Sequence, residues 1–288
     1  MKPAKGRRRA LVRLALPLLA FTLLAFVLGA SGCMERLFFY PDRSPFVTPP
    51  GVEDVAFTTA DGLTLHGWFI PPTGRAADAP PAPAVLHVHG NAGNVSHHLV
   101  FCRFLADEGF AVLLFDYRSY GRSDTGPLRR RNLLADADAA LDALLARPGV
   151  DPDRVAVYGN SLGGVIGLAL ARRRPEVRSV VSAAAFSRWQ RVASDHTGLL
   201  GRALIRHGLD AEVCAAALGD RPLLIIHGTA DEIVPAYHAE RIADAARAAG
   251  VPVTVALLDG ITHNDLMVTP DAQRTAADFL RRTLAETR

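Results

Sequence analysis

Cysteine is scarce in this chain, with three in 288 residues. Their spacing matches no zinc-binding pattern, so a cysteine-built metal site is excluded. Two of them, Cys102 and Cys214, could pair in an oxidising compartment, but free buried thiols are the expectation. No dinucleotide-binding glycine pattern follows the first buried strand, and no internal repeat is visible. Nicotinamide or flavin chemistry of that type and repeat architectures are set aside accordingly. Acid is missing from the first 32 residues, which carry Lys2, Lys5, Arg7, Arg8, Arg9 and Arg13. Those six charges exceed the whole chain's net +3, so the remainder is net acidic. Nothing in it suggests a nucleic-acid surface, and the sequence pI near 9.0 does not argue for one.

That basic start leads into an apolar run, Leu14 to Ala30, and then Ser31-Gly32-Cys33. A charged segment, an apolar segment and small residues before a cleavage point are the marks of a secretory signal. The small-small-cysteine ending resembles a bacterial lipobox, which implies cleavage after residue 32 and diacylation of Cys33. Ala30 departs from the leucine commonest there. An uncleaved signal anchor is the alternative, because the run is nearly long enough to span a bilayer. Simple secretion is the third. Met34 after the cysteine, rather than aspartate, favours the outer membrane, so the expected location is the cell envelope.

Residues 33–50 contain Pro41, Pro45, Pro49 and Pro50 and read as an irregular tether. Beyond it, residues 51–288 are expected to form one folded domain. Glu53 to Thr59 and Leu63 to Ile70 flank Ala60-Asp61-Gly62, a hairpin signal. From residue 84 strands and helices alternate. Strands are expected at Ala84–Val88, Ala111–Phe115, Arg154–Tyr158, Val177–Ala184, Leu223–Ile226 and Val253–Leu258. Helices are expected from the first loop to about Glu108, then at 128–146, 164–173, 236–249 and 271–286. That alternation predicts an α/β fold with a mostly parallel, doubly wound sheet and an antiparallel hairpin at one edge. Residues 186–220 lack a clean repeating unit and are expected to form a small helical cap.

Gly159-Asn160-Ser161-Leu162-Gly163 joins the apolar run before it to a helical pattern after it. A serine between glycines at such a junction reads as a nucleophile elbow: the turn is so tight that only small residues fit, and the helix N-terminus lies beneath the hydroxyl. A serine hydroxyl needs a base to take its proton, and the base needs a carboxylate to hold it. Two loops that follow strands supply them, His227 to Pro235 with Asp231, and Asp259 to Asp265 with His263. The order Ser161, Asp231, His263 is the α/β-hydrolase order.

Five motifs in sequence, His89 to Asn94 (HGNAGN), Asp116 to Ser123 (DYRSYGRS), the elbow, His227 to Pro235 (HGTADEIVP) and Gly260 to Asp265 (GITHND), resemble the α/β-hydrolase superfamily. The resemblance spans about residues 53–286. More narrowly it is to the serine-aminopeptidase-like or BEM-type branch of single-domain hydrolases. It implies an α/β-hydrolase fold, Ser161 as nucleophile, His263 as general base and acid, and Asp231 as the orienting acid. It further implies an oxyanion hole from the backbone N–H groups of Asn91 and Leu162. Ser119 departs from the glycine usual in that branch.

Competing structural roles are read for neighbouring residues. Asp259 and Asp265 read as loop or capping carboxylates, Glu232 as a bystander, His227 as structural, and Arg118 as a loop organiser. His87 and His89 should share a strand face without further ligands. Trp189 and Phe186 either line an acyl pocket or form the cap core. The expectation is a membrane-anchored serine hydrolase that cleaves a small-molecule or lipid ester or thioester and needs no cofactor or metal. Alternatives are a serine peptidase and, in another class, a non-catalytic binding lipoprotein of the same fold.

Overall fold

Apolar runs and amphipathic stretches alternate from residue 82 to residue 285, and their strands join the hairpin at residues 53–70 in one eight-stranded sheet with helices on both faces. The computed structural model describes residues 33–76 and 79–285. The expected signal peptide at 1–32 and the side chain of the expected lipidation point, Cys33, lie outside the described residues.

The strands are β1 (Tyr40–Pro41), β2 (Glu53–Thr58), β3 (Thr64–Ile70), β4 (Ala82–Val88), β5 (Ala92–Gly93), β6 (Ala111–Phe115), β7 (Val150–Asn160), β8 (Val177–Ala183), β9 (Leu223–Gly228) and β10 (Val253–Leu258). The helices are α1 (Val95–His98), α2 (Phe104–Asp107), α3 (Arg130–Leu145), α4 (Leu162–Arg173), α5 (Trp189–Thr197), α6 (Leu199–Leu204), α7 (Ala211–Ala215), α8 (Tyr237–Ala248) and α9 (Pro270–Ala285). The sheet order is β10-β9-β8-β7-β4-β6-β3-β2. All neighbours run parallel except the β2–β3 and β3–β6 pairs, so the fold is the expected α/β-hydrolase fold with its hairpin at one edge.

Burial explains the strand composition. β6, Ala-Val-Leu-Leu-Phe, is buried at every position, as an interior parallel strand covered on both faces must be. One face packs on α3, α4 and α8, the other on α9 and the segment around α1 and α2. Strand order reverses at β4, whose neighbours are β6 on one side and β7 on the other. An open α/β sheet forms its crevice at such a reversal, beyond the strand C-termini.

The single helix expected before Glu108 is instead three short pieces, α1, a 3-10 turn at Leu99–Phe101, and α2. The break falls at Cys102, which leaves helical geometry at φ −131°. Cys102 and Cys214 are both buried and free, and burial pushes both thiols above their ordinary pKa. Residues 33–50 are short of regular structure, yet they are packed down rather than loose. A 3-10 helix, Cys33–Phe38, leads to Phe39, which is buried edge-on to Trp189 at 6.3 Å. Glu35 pairs with the buried Arg130 at 3.0 Å.

The elbow depends on two close approaches. A Cβ on Gly163 would stand 1.8 Å from the Val88 carbonyl oxygen, and one on Gly159 would stand 2.3 Å from the Gly163 carbonyl. Both neighbours are backbone, so neither can swing aside. Gly163→Ala is therefore expected to cost about 3 kcal/mol or more. For a domain of this size that lowers the melting temperature by roughly 6–12 °C, measurable by calorimetry or circular dichroism.

Candidate active site

Ser161 sits between the C-terminus of β7 and the first residue of α4, with φ +54° and ψ −118°. A left-handed φ at a non-glycine residue is held only when its surroundings over-determine it. Here the Ser161 N–H donates to the Ala183 carbonyl at 2.8 Å, and the Ser161 carbonyl accepts from Gly164 N–H at 3.0 Å. The hydroxyl therefore stands at the mouth of the sheet, at the positive end of the α4 dipole.

Asp231 and His263 come together from the loops after β9 and β10, which pair in parallel. His263 Nδ1–H donates to Asp231 Oδ2 at 2.6 Å. The other carboxylate oxygen accepts the backbone N–H groups of Ile233 (2.9 Å) and Val234 (2.7 Å). His227 is 3.2 Å from Oδ2 through Nε2, which also donates to the Val234 carbonyl at 2.8 Å. Burial alone would raise the Asp231 pKa. The bonds from His227, His263 and Val234 outweigh it and hold the carboxyl well below the usual carboxylate range. His227 is thus structural in a specific sense, since it donates to the acid and braces the turn that follows.

The bystanders separate cleanly. Glu232 is exposed. Asp259 accepts from the Thr229 hydroxyl at 2.9 Å, and Asp265 from the Thr262 hydroxyl at 2.6 Å. Arg118 is buried and forked between Asp136 (2.7 Å) and Asp61 (2.8 Å), and it is not among the residues that line the cleft around Ser161. Ser119 takes a left-handed φ of +69°, and its hydroxyl bonds the Gly126 backbone, which gives the serine a use where glycine is usual. His87 packs on Tyr158. His89, one residue past the end of β4, packs against Tyr117, Tyr120 and His98.

Sequence reasoning missed how the loop from His89 to Gly93 is held. All five carbonyls are occupied. The His89 carbonyl accepts from the Tyr117 hydroxyl (3.1 Å), and the Gly90 carbonyl faces His89 Nδ1 (2.7 Å). The Asn91 carbonyl accepts from the Tyr120 hydroxyl (2.6 Å), and the Ala92 carbonyl faces His98 Nε2 (2.7 Å). The Gly93 carbonyl accepts from Asp42 N–H (3.2 Å), where β1 runs parallel to β5. Burial pushes the His98 pKa down to about 4, so its ring is neutral at neutral pH and Nε2–H is the donor. The tyrosines lie inside a quoted motif, but nothing local says where their hydroxyls point.

Ser161, His263, Asn91 and Leu162 all line one cleft of about 1000 Å³. Its walls are largely apolar. Phe186 and Trp189 are buried edge-to-face at 4.9 Å in the cap and also line the cleft. The cap is helical, as expected, and α5 is fixed to the sheet side by His238, which bridges the Ser187 hydroxyl (2.9 Å) and Asp195 (2.8 Å). Phe38, Tyr40 and Asp42 of the N-terminal segment form part of the wall, which the reading of that segment as a tether did not anticipate.

The Dienelactone hydrolase family model matches residues 73–279. The chain belongs to this family. Consistent with that, it is 35% identical over 287 residues to the protein Rv2307c of Mycobacterium tuberculosis (strain H37Rv), covering 95% of this chain and 96% of that one. It is also 35% identical over 210 residues to YfhR of Escherichia coli (strain K12), covering 72% and 73%. The Pyrococcus furiosus esterase Pf2001 superposes with a TM-score of 0.71 at 19% identity, over 86% of this chain and 98% of that one, a likeness of fold. This dienelactone hydrolase family member is therefore a hydrolase of the α/β-hydrolase fold.

Proposed function

We propose that the protein is a serine hydrolase that cleaves carboxylic esters or thioesters through an acyl-enzyme, in the serine-aminopeptidase-like or BEM-type branch suggested by its motifs. The observation that carries this is the 2.6 Å His263–Asp231 pair opening onto the same cleft as the left-handed Ser161. Asp231 fixes His263 with its proton on Nδ1, which leaves Nε2 to take the Ser161 proton as Oγ attacks the carbonyl carbon. The carbonyl oxygen becomes an oxyanion held by the N–H groups of Leu162 and Asn91. His263 then protonates the departing alcohol or thiol. Water, deprotonated by the same ring, releases the acid and restores Ser161. These steps need no metal or cofactor.

The apolar cleft favours an ester over a peptide amide. For location, the lipobox-like segment ending at Cys33 supports a lipid-tethered protein of the cell envelope. A fluorophosphonate probe should label the wild type at Ser161 and leave Ser161→Ala unlabelled; equal labelling would remove Ser161 from the role. Ester and aminoacyl-amide substrates assayed side by side decide the bond cleaved, and a preference for the amide would replace this reading with a peptidase. Silence on both, with no labelling, would favour the binding-lipoprotein alternative.

Tyr120 serves here as a positioning residue. Its hydroxyl holds the Asn91 carbonyl and so braces the loop that carries the proposed oxyanion donor, Asn91 N–H. Tyr120→Phe is expected to lower kcat about tenfold, the equivalent of one hydrogen bond of about 1.4 kcal/mol, and to leave KM nearly unchanged. Steady-state kinetics on a soluble ester checks this split.

A further inference from the structure

Among the described residues, four exposed large apolar side chains lie at or beside the cleft mouth. Tyr40, Leu200 and Ile233 are 62%, 62% and 44% exposed and also line the cleft. Leu199, next to Leu200 on the cap helix α6, is 82% exposed. Three different parts of the fold supply these residues: the N-terminal segment, the cap and the loop after β9. An apolar rim around an apolar cleft marks an interaction surface rather than scattered exposure.

The chain itself says what lies against this rim. Among the described residues no helix is long and apolar enough to cross a membrane. The apolar run Leu14 to Ala30 ends three residues before Cys33. From Cys33 a six-residue 3-10 helix leads straight to Phe38, a wall of the cleft. At about 2 Å rise per residue, that helix spans about 12 Å. Either anchor expected from the sequence, acylated Cys33 after cleavage or the uncleaved apolar run before it, would thus hold the cleft mouth close to a membrane. Exposed Arg36 on the 3-10 helix and Arg202 on α6 add positive charge beside the apolar residues. Asp42, a carboxylate of the cleft wall, is engaged by the Ser44 N–H (2.7 Å) and faces His97 (3.7 Å). Exposed Glu232 stands next to Ile233, in a different part of the rim from these arginines. Apolar side chains flanked by arginines are the composition of a surface that enters a bilayer interface.

We propose that the rim of Tyr40, Leu199, Leu200 and Ile233 docks on an anionic lipid bilayer and admits long-chain acyl esters from it directly into the cleft. The proposal rests on the ester-hydrolase reading for its substrate, not for its docking. The test uses the full chain bound to phosphatidylcholine vesicles containing phosphatidylglycerol and a fluorogenic long-chain acyl ester, with a water-soluble butyrate ester assayed in parallel. Leu199→Glu is expected to lose about tenfold or more on the embedded ester, the effect of withdrawing one leucine from an apolar phase. It should keep the butyrate rate, because Leu199 does not line the cleft. Val213→Glu, an exposed apolar residue on α7, should change neither rate. Equal rates for Leu199→Glu and wild type on the embedded ester would overturn the proposal. Docking is also read without activity: Leu199→Trp fluorescence should be quenched by brominated acyl chains in the same vesicles. Absence of quenching overturns the docking even if esters are cleaved, whereas quenching with neither ester cleaved upholds the docking and overturns the hydrolase reading.

Discussion

Ester hydrolysis by Ser161→Ala is expected to fall about 10⁶-fold in kcat, with KM for a soluble ester changed little. The size follows from what the alanine removes. Without Oγ no acyl-enzyme can form, and the His263–Asp231 pair has no hydroxyl to activate. Removing the nucleophile of such a unit costs about as much as removing the whole unit. A residual rate of about 10³–10⁴ over water is expected from the oxyanion donors and the cleft, which the variant retains. Binding survives because the apolar walls, Phe186 and Trp189 among them, are untouched. The fold also survives, because alanine tolerates the elbow nearly as well as serine. Single-turnover kinetics with a chromogenic ester, alongside a melting curve, separates loss of chemistry from loss of structure. A kcat within tenfold of wild type would place the nucleophile elsewhere.

The elbow was legible because its constraints are local. The glycines at 159 and 163 and the apolar run before them encode a strand, a tight turn and a helix within fifteen residues. β6 and β10 match the expected bounds, since each is a short apolar run ended by a turn. The loops carrying Asp231 and His263 were found by their position after strands. What was not legible joins residues far apart in the chain. The Tyr120 hydroxyl reaches a carbonyl 29 positions earlier, and Arg130 reaches Glu35 across 95 positions. The segment with Phe38 and Tyr40 carries neither a helical nor a strand period, so nothing in it announced a cleft wall. His227 looked like a bland strand-end histidine. Its bond to Asp231 depends on the turn through Val234, which no spacing rule encodes.

That bond sets the expected behaviour of Asp231→Asn, the second large effect: a loss of about 10⁴-fold in kcat at neutral pH. Asp231 Oδ2 receives His263 Nδ1–H and His227 Nε2–H, while Oδ1 receives two backbone N–H groups. A carboxylate can accept all four; an amide cannot. If the asparagine oxygen keeps the backbone pair, its NH₂ faces two donors. His263 relieves the clash by moving its proton to Nε2, where it can no longer accept one from Ser161. The same substitution carries a stability signature with a definite sign. The native Asp231 carboxyl lies below its unfolded value of about 3.9, so its stabilising contribution is complete above about pH 4. It is lost as pH falls toward the depressed native value. The melting temperature of wild type should therefore exceed that of Asp231→Asn at pH 7, and the gap should narrow below about pH 4. A gap that stayed constant down to pH 3 would mean that the bonds to Asp231 do not depend on its charge.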